Sequence, residues 1–98
     1  MQPFNELISG SKPVVVDFYA DWCGPCKTMA PILLEVKSSV QDQATIIKID
    51  VDKAQALAAE YGIRAIPTLL IFKNGKEVWR RSGVCPPQEL KNKILSLV

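Results

Sequence analysis

The run Trp22-Cys23-Gly24-Pro25-Cys26-Lys27 contains two cysteines three positions apart. An apolar, strand-like run from Val14 to Tyr19 precedes them, and a stretch compatible with a helix follows. If that helix starts near Gly24, Cys23 lies at its N-terminus, where unpaired amides and the helix dipole stabilise a thiolate. Cys26 lies one turn further on and can close back on Cys23, because side chains at i and i+3 share a helix face. The pattern is typical of a reversible dithiol/disulfide pair.

Two other uses of these thiols compete with redox chemistry. A structural cross-link is one, but closing a four-residue ring stabilises by only about 2 kcal/mol, against about 3 kcal/mol for a 15-residue ring. Half of a zinc site is the other, and it needs two further nitrogen or sulfur ligands. The chain has no histidine and one other cysteine, Cys85. Redox chemistry is therefore the favoured function.

The totals describe one ordinary domain over residues 1–98, with 48% hydrophobic and 22% charged residues. A net charge of +2 is too small to indicate nucleic acid or an anionic membrane as a partner. No apolar run approaches the ~20 residues of a membrane span, and the N-terminus does not resemble a signal peptide. Three cysteines are too few for a disulfide-built scaffold, so we expect a reducing cytoplasm.

Hydrophobic periodicity predicts four helices and four strands. The helices are expected at 3–9, from Gly24 to about Ser39, at 53–61 and from Pro87 onward. The strands are expected at 14–19, 44–51, 68–72 and from Glu77 to about Arg81. Right-handed crossovers make the first two strands parallel neighbours, and helices cover both faces of a mixed sheet. The thiols then lie at the C-terminal end of the first strand, where open α/β sheets tend to place their sites.

Local signals set several element ends. Asn74-Gly75 predicts a tight hairpin between the last two strands. Asp52 is a candidate cap for the third helix, with Gln55 in the reciprocal capping-box position. Pro31 lies within the second helix and is expected to kink it.

The sequence resembles the thioredoxin family over nearly its whole length. The matching runs are 16–27 (Val-Asp-Phe-Tyr-Ala-Asp-Trp-Cys-Gly-Pro-Cys-Lys), 49–52 (Ile-Asp-Val-Asp), 61–68 (Tyr-Gly-Ile-Arg-Ala-Ile-Pro-Thr), 72–75 (Phe-Lys-Asn-Gly) and 83–84 (Gly-Val). The resemblance implies a thioredoxin fold of class α/β, with a central mixed sheet of four strands flanked by four helices. The family's first strand is expected to be missing or vestigial, which leaves the 44–51 strand at an edge of the sheet.

The resemblance also implies a general protein-disulfide reductase. Cys23 would attack a substrate disulfide and Cys26 would resolve the mixed disulfide, leaving a Cys23–Cys26 disulfide. A thioredoxin reductase would restore the dithiol with NADPH and flavin, so no cofactor or metal is expected on this chain. Disulfide-containing proteins such as reductases and peroxidases are the implied substrates, and a monomer is expected. Gly24-Pro25 matches the reducing members, since oxidising relatives place a histidine between the cysteines.

Two charged residues have alternative roles. The residues alone favour neither of two roles for Asp17, a buried functional acid or an acid at a solvated strand position. The resemblance favours a proton acceptor that serves Cys26. Lys48, on the neighbouring strand, is then its electrostatic partner, and the alternative is a solvated strand lysine.

The resemblance further implies a flat apolar docking surface beside a cis proline, where a substrate chain pairs in strand fashion. Its expected members are Trp22, Gly24, Pro25, Ile66, Pro67, Gly83 and Val84. Core packing is the alternative role for Trp22 and Val84. Cys85 is a departure from the family pattern, and is either a small buried apolar residue or a reactive third thiol near the docking surface.

Two other functions remain open at this point. A binding module could use the same surface to hold a partner without transferring electrons. A component dedicated to one pathway, such as an oxidase or an isomerase, is the second, and its reduction potential would differ from that of a strong reductant.

Overall fold

Four strands and four helices alternate along the chain in the computed structural model, which describes residues 3–98. The strands are β1 Val14–Tyr19, β2 Thr45–Asp50, β3 Thr68–Lys73 and β4 Lys76–Ser82. The helices are α1 Phe4–Leu7, α2 Gly24–Val40, α3 Gln55–Glu60 and α4 Pro87–Ser96, and a short 3-10 turn at Gln41–Gln43 follows α2. Every helix in this described part is too short or too polar to cross a bilayer.

The strands form one mixed sheet in the order β2-β1-β3-β4. β1 runs parallel to β2 and antiparallel to β3, and β3 pairs antiparallel with β4. β2 is therefore an edge strand, as the sequence predicts, and no strand precedes β1 within residues 3–98. The predicted α/β class and the four-stranded mixed sheet are confirmed.

Side chains alternate between the two faces of the central strand, and each face has its own core. Val15 packs with apolar residues of α2 and α4, including Met29 and Leu90. Val16 and Phe18 face the other way, toward the side that carries α1 and α3. β1 is buried on both faces because it lies between β2 and β3 and is covered by helices on each side.

The third helix differs from its prediction. α3 begins at Gln55 rather than at residue 53, and its N-cap, Ala54, makes no side-chain capping bond. The backbone amides of residues 53 and 54 both donate to the carbonyl of Asp50, so the chain forms a turn before the helix starts. Gln55 reaches the carbonyl oxygen of Asp52 rather than its amide. The predicted capping box is therefore wrong, and the carboxylate of Asp52 is free for another contact.

The hairpin at Asn74-Gly75 is confirmed, and both residues have a positive φ, 55° and 81°. The amides of these two residues donate to the carbonyls of Gly10 and Ile8, which ties the turn to the segment after α1. A non-glycine residue in this backbone region is strained by about 1–2 kcal/mol.

Gly75→Ala is therefore expected to lower the free energy of unfolding by about 1–2 kcal/mol. No atom lies within 4 Å of where the new Cβ would be, so the loss comes from the backbone alone. Gly10→Ala is the matched control, since its site is equally open and its φ is not positive. Urea unfolding of both variants measures the difference, and equal midpoints would contradict the expectation.

Candidate active site

The two cysteines lie at the start of α2, just after the short segment that connects it to β1. Cys23 is the N-cap of α2, with extended backbone, and its Sγ accepts the backbone amide of Cys26 at 3.2 Å. The two sulfurs are joined in a disulfide, with 5.3 Å between the Cα atoms. The predicted placement of Cys23 at the helix N-terminus is confirmed. Because amide donors and the helix dipole favour negative charge there, this position stabilises the Cys23 thiolate once the disulfide is reduced.

Both cysteines have little exposed surface. Cys23 is 4% and Cys26 is 5% exposed, so the nucleophilic sulfur is less open than the sequence indicated. The carbonyl oxygen of Ile66 lies 3.7 Å from Cys23 Sγ and covers one side of it. Gly24 and Pro25 beside it are exposed, so the remaining edge of Cys23 faces the surface. No group of three or more potential metal ligands occurs among residues 3–98, and the sulfurs are bonded to each other instead.

Asp17 is buried on β1, next to Lys48 of β2 in the strand register. Its side chain is 1% exposed, and neither carboxylate oxygen has a hydrogen-bond partner among the described residues. Burial raises the pKa of Asp17 from 3.8 to about 6, and the charge of Lys48 partly opposes this. The solvated position that the residues alone left open for Asp17 is therefore wrong.

Lys48 lies over an aromatic ring rather than against a carboxylate. Its Nζ is 4.3 Å from the centroid of the Tyr19 ring, a cation–π distance. Neither ion pair found in residues 3–98 includes it. A cavity of about 130 Å³ brings this lysine and Cys26 to the same opening, and its lining is Tyr19, Ala20, Asp21, Cys26, Lys27, Ala30 and Lys48. The sequence did not single out Tyr19, although its position at the end of β1 places it beside β2.

The remaining predicted site residues come together around the disulfide. The Ile66-Pro67 bond is cis, and the amide of Gly83 donates to the carbonyl of Pro67 at 2.8 Å. Trp22 is 69% and Val84 is 37% exposed, which excludes the core-packing alternative for Trp22. Pro67 is buried, so the predicted docking surface does not include it. We call the other six predicted residues, Trp22, Gly24, Pro25, Ile66, Gly83 and Val84, the apolar rim.

Asp52 belongs to this site, although the sequence assigned it to a helix cap. Its carboxylate accepts the indole N–H of Trp22 at 2.8 Å, across thirty positions of sequence. The bond holds one edge of an exposed tryptophan in place. Asp52 follows β2 and Trp22 follows β1, and these parallel neighbours end at the same side of the sheet. The prediction that β1 and β2 are parallel neighbours was the signal in the sequence from which the contact between Trp22 and Asp52 could have been predicted.

The thioredoxin family model matches residues 1–96. The chain belongs to the thioredoxin family. A thioredoxin of Mycoplasmoides gallisepticum is 49% identical over 87 residues, covering 89% of this chain and 86% of the relative. Thioredoxin Y, a chloroplastic protein of Oryza sativa, is 49% identical over 94 residues, and the match spans 95% of this chain but 56% of that protein. The crystal structure of Malassezia sympodialis thioredoxin superposes with a TM-score of 0.86 at 38% identity, covering 95% of this chain and 83% of that one.

Membership of the family and the disulfide together define the chemistry. This thioredoxin-family protein is a protein-disulfide oxidoreductase that works by dithiol/disulfide exchange at Cys23 and Cys26. Dithiol/disulfide exchange is therefore favoured over the two competing uses of the thiols, a structural cross-link and a metal site.

Cys85 is an internal packing residue in this thioredoxin fold. It is fully buried between α2 and α4, its amide points at Met29 Sδ at 3.4 Å, and it forms no disulfide. Burial raises the pKa of the Cys85 thiol, which lowers the fraction of reactive thiolate. The buried apolar alternative is therefore the one that the structure favours.

Mild peroxide treatment of the reduced, native protein is expected to leave Cys85 unmodified, because its sulfur is both buried and protonated. Peptide mass spectrometry measures this, and the same treatment in denaturing urea is the control that should modify it. Modification under native conditions would show that the core opens at this residue.

Proposed function

We propose that this protein is a general protein-disulfide reductase that a thioredoxin reductase returns to the dithiol state. The observation that carries the proposal is a disulfide at the start of α2 together with Asp17 on β1, a buried carboxylate that has no hydrogen-bond partner in the part of the chain that the structure describes. The sulfur at the helix end supplies a nucleophile, and the carboxyl group supplies a proton acceptor.

In the first step the Cys23 thiolate attacks one sulfur of the substrate disulfide. A Cys23–substrate S–S bond forms, the substrate S–S bond breaks, and the released thiolate takes a proton. The amide of Cys26, which lies 3.2 Å from Cys23 Sγ, supports the attacking thiolate. No electrons are gained or lost overall at this stage, because one disulfide replaces another.

In the second step Cys26 resolves the mixed disulfide. Its thiol passes a proton to Asp17, and the resulting thiolate attacks Cys23 Sγ. The Cys23–Cys26 bond forms, the substrate leaves with its second sulfur reduced, and the pair is oxidised by two electrons. A carboxyl group with a pKa of about 6 is suited to this transfer, because its basicity lies close to neutral pH. We assign Lys48 as the charge that keeps Asp17 ionisable despite burial.

We propose that the apolar rim receives the substrate chain. Trp22 and Val84 offer exposed apolar surface, and the carbonyl of Ile66, just before Pro67, lies beside Cys23. A substrate strand that pairs with Ile66 would bring its own disulfide to the exposed edge of Cys23. This arrangement recognises the backbone and shape of the substrate chain rather than particular side chains, which suits a reductase with many protein substrates.

The partners follow from the same chemistry. We propose thioredoxin reductase as the electron donor, with NADPH and flavin held by that enzyme, and disulfide-bearing proteins such as reductases and peroxidases as acceptors. We propose a monomeric single domain over residues 1–98, without cofactor, nucleic-acid or membrane partner. A cytoplasmic location fits the cysteine usage, although one of the relatives is a chloroplastic protein.

The test is NADPH oxidation with insulin as substrate, in the presence of a purified bacterial thioredoxin reductase. We expect steady turnover that needs both proteins and insulin. A protein that binds partners without turnover would be the binding module instead. A reduction potential well above that of a reductant would favour the oxidase or isomerase alternative.

A further inference from the structure

The outer edge of β2 has unpaired backbone groups beside an apolar groove. The amide of Thr45 donates to the carbonyl of Pro13, just before β1, and that of Val51 donates to the carbonyl of Tyr19 in β1. Strand alternation then turns the amides of residues 47 and 49 the same way. The peptide groups of Ile46 and Lys48 therefore point away from the sheet without a partner in residues 3–98, whereas the carbonyl of Asp50 already accepts the amides of residues 53 and 54. Within residues 3–98 no strand pairs with this edge, so it can accept one.

The groove runs between β2 and α2, on the side of the sheet that carries Ile46. Its volume is about 240 Å³, and it is lined by Ala30, Leu33, Leu34, Lys37, Ile46 and Lys48. Leu34 is 71% exposed, more than any other large apolar residue within positions 3–98. A strand added to β2 would direct alternate side chains into this groove, so backbone pairing and apolar burial would occur together.

The charge around the groove indicates which kind of polypeptide segment binds there. Its two charged lining residues, Lys37 and Lys48, are both basic. A second copy of the chain fits poorly, because it would bring its own Lys37 and Lys48 to the same interface and add positive charge rather than neutralise it. A segment with acidic side chains on either side of an aliphatic one complements both the positive charge and the apolar lining of the groove.

The groove is also continuous with the redox site. Ala30 and Lys48 line both this groove and the smaller cavity at Cys26. A strand bound to β2 would thus lie next to the disulfide without covering the apolar rim. A protein held there would keep a second contact with this chain while its cysteines exchange with Cys23.

We propose that the β2 edge and its groove bind an extended acidic segment of a disulfide-bearing partner protein, with an aliphatic side chain beside Leu34 and flanking carboxylates on Lys37 and Lys48. The proposal rests on the function given above for the identity of the partner, but not for the binding itself. It assigns to this edge a docking role separate from the apolar rim.

The probe is a fluorescein-labelled, cysteine-free peptide with leucine at the centre, glutamate two positions away on each side and threonine between. We expect saturable binding below about 1 mM by fluorescence polarisation. Leu34→Glu and Lys37→Glu should each weaken it at least about tenfold, which corresponds to 1.4 kcal/mol. Leu95→Glu is the matched control, because Leu95 is an exposed leucine on α4 and does not line the groove.

Two changes to the peptide separate the contribution of charge from that of backbone pairing. Lysine in place of glutamate should abolish binding, and N-methylation of alternate amides should do the same if the peptide pairs as a strand. Equal affinity of the Leu34→Glu and Leu95→Glu variants would overturn the proposal. So would a concentration-dependent dimer, seen by sedimentation, that Leu34→Glu dissolves, because the occupant would then be a second copy.

Insulin reduction distinguishes this proposal from the general function. We expect Leu34→Glu to reduce insulin at the rate of the unmodified protein, since Leu34 lies outside the apolar rim. An unmodified protein that reduces insulin but does not bind the peptide would be a failure of the docking proposal alone. Peptide binding by an unmodified protein that cannot reduce insulin would be a failure of the proposed function alone.

Discussion

Cys26→Ser is expected to stop the reaction after its first exchange and leave the substrate covalently attached to Cys23. The resolving attack is intramolecular, and replacing it by a free thiol from solution forfeits a large effective concentration. We expect the steady rate of insulin reduction to fall at least about a thousandfold. A non-reducing gel should show a protein–substrate adduct that dithiothreitol releases.

Three variants together identify the roles of the sulfurs. Cys23→Ser should abolish turnover and form no adduct, because Cys26 lies within the first turn of α2 and not at its N-cap, where the amide that supports the Cys23 sulfur points. Cys85→Ser is the control for loss of a thiol, and it should keep its activity, since Cys85 is buried away from the disulfide. Adducts in Cys23→Ser but not in Cys26→Ser would reverse the assignment of nucleophile and resolving residue.

Asp17→Asn is expected to make the protein more stable at pH 8 by roughly 2–3 kcal/mol. The pKa of Asp17 is about 6 in the folded chain against an ordinary value of 3.8, so the folded state binds the proton more tightly. The folded state therefore loses stability as the pH rises from about 3.8 to about 6, and the full loss remains above that range. Asparagine does not ionise, so this dependence should disappear.

Urea unfolding at several pH values measures this effect. Asp21→Asn is the matched control, because Asp21 is exposed and the change removes the same charge. The Asp17→Asn variant should also resolve mixed disulfides about a hundredfold more slowly, with a rate that no longer follows an ionisation near pH 6. An unchanged pH slope of stability would mean that Asp17 is not the buried ionising group.

The elements nearest the cysteines could be predicted because their signals are local. The bounds of β1 agree with the prediction, and α2 ends one residue beyond the expected Ser39. A run of branched apolar residues and a proline in the first turn act within a few positions of themselves. Asn74-Gly75 similarly specified its hairpin through backbone preference alone.

The contacts that complete the site were harder to predict because each joins distant parts of the chain. The bond from Trp22 to Asp52 crosses thirty positions, and the sequence offered a capping box for Asp52 that the turn before α3 displaces. Lys48 was linked to Asp17 by resemblance, but its position over Tyr19 depends on how β2 lies along β1. Local propensity carries no information on such pairings.

The amino-acid sequence alone determined the α/β class, the succession of helices and strands along the chain, the redox pair and its place at the start of α2, because periodicity, turn residues and helix ends are short-range properties. Only the tertiary structure decided that Asp17 is buried with no hydrogen-bond partner among residues 3–98, that Trp22 is exposed and anchored by Asp52, and that Cys85 is enclosed. Those outcomes depend on which surfaces pack together, and burial is a property of the assembled sheet and helices rather than of any one segment.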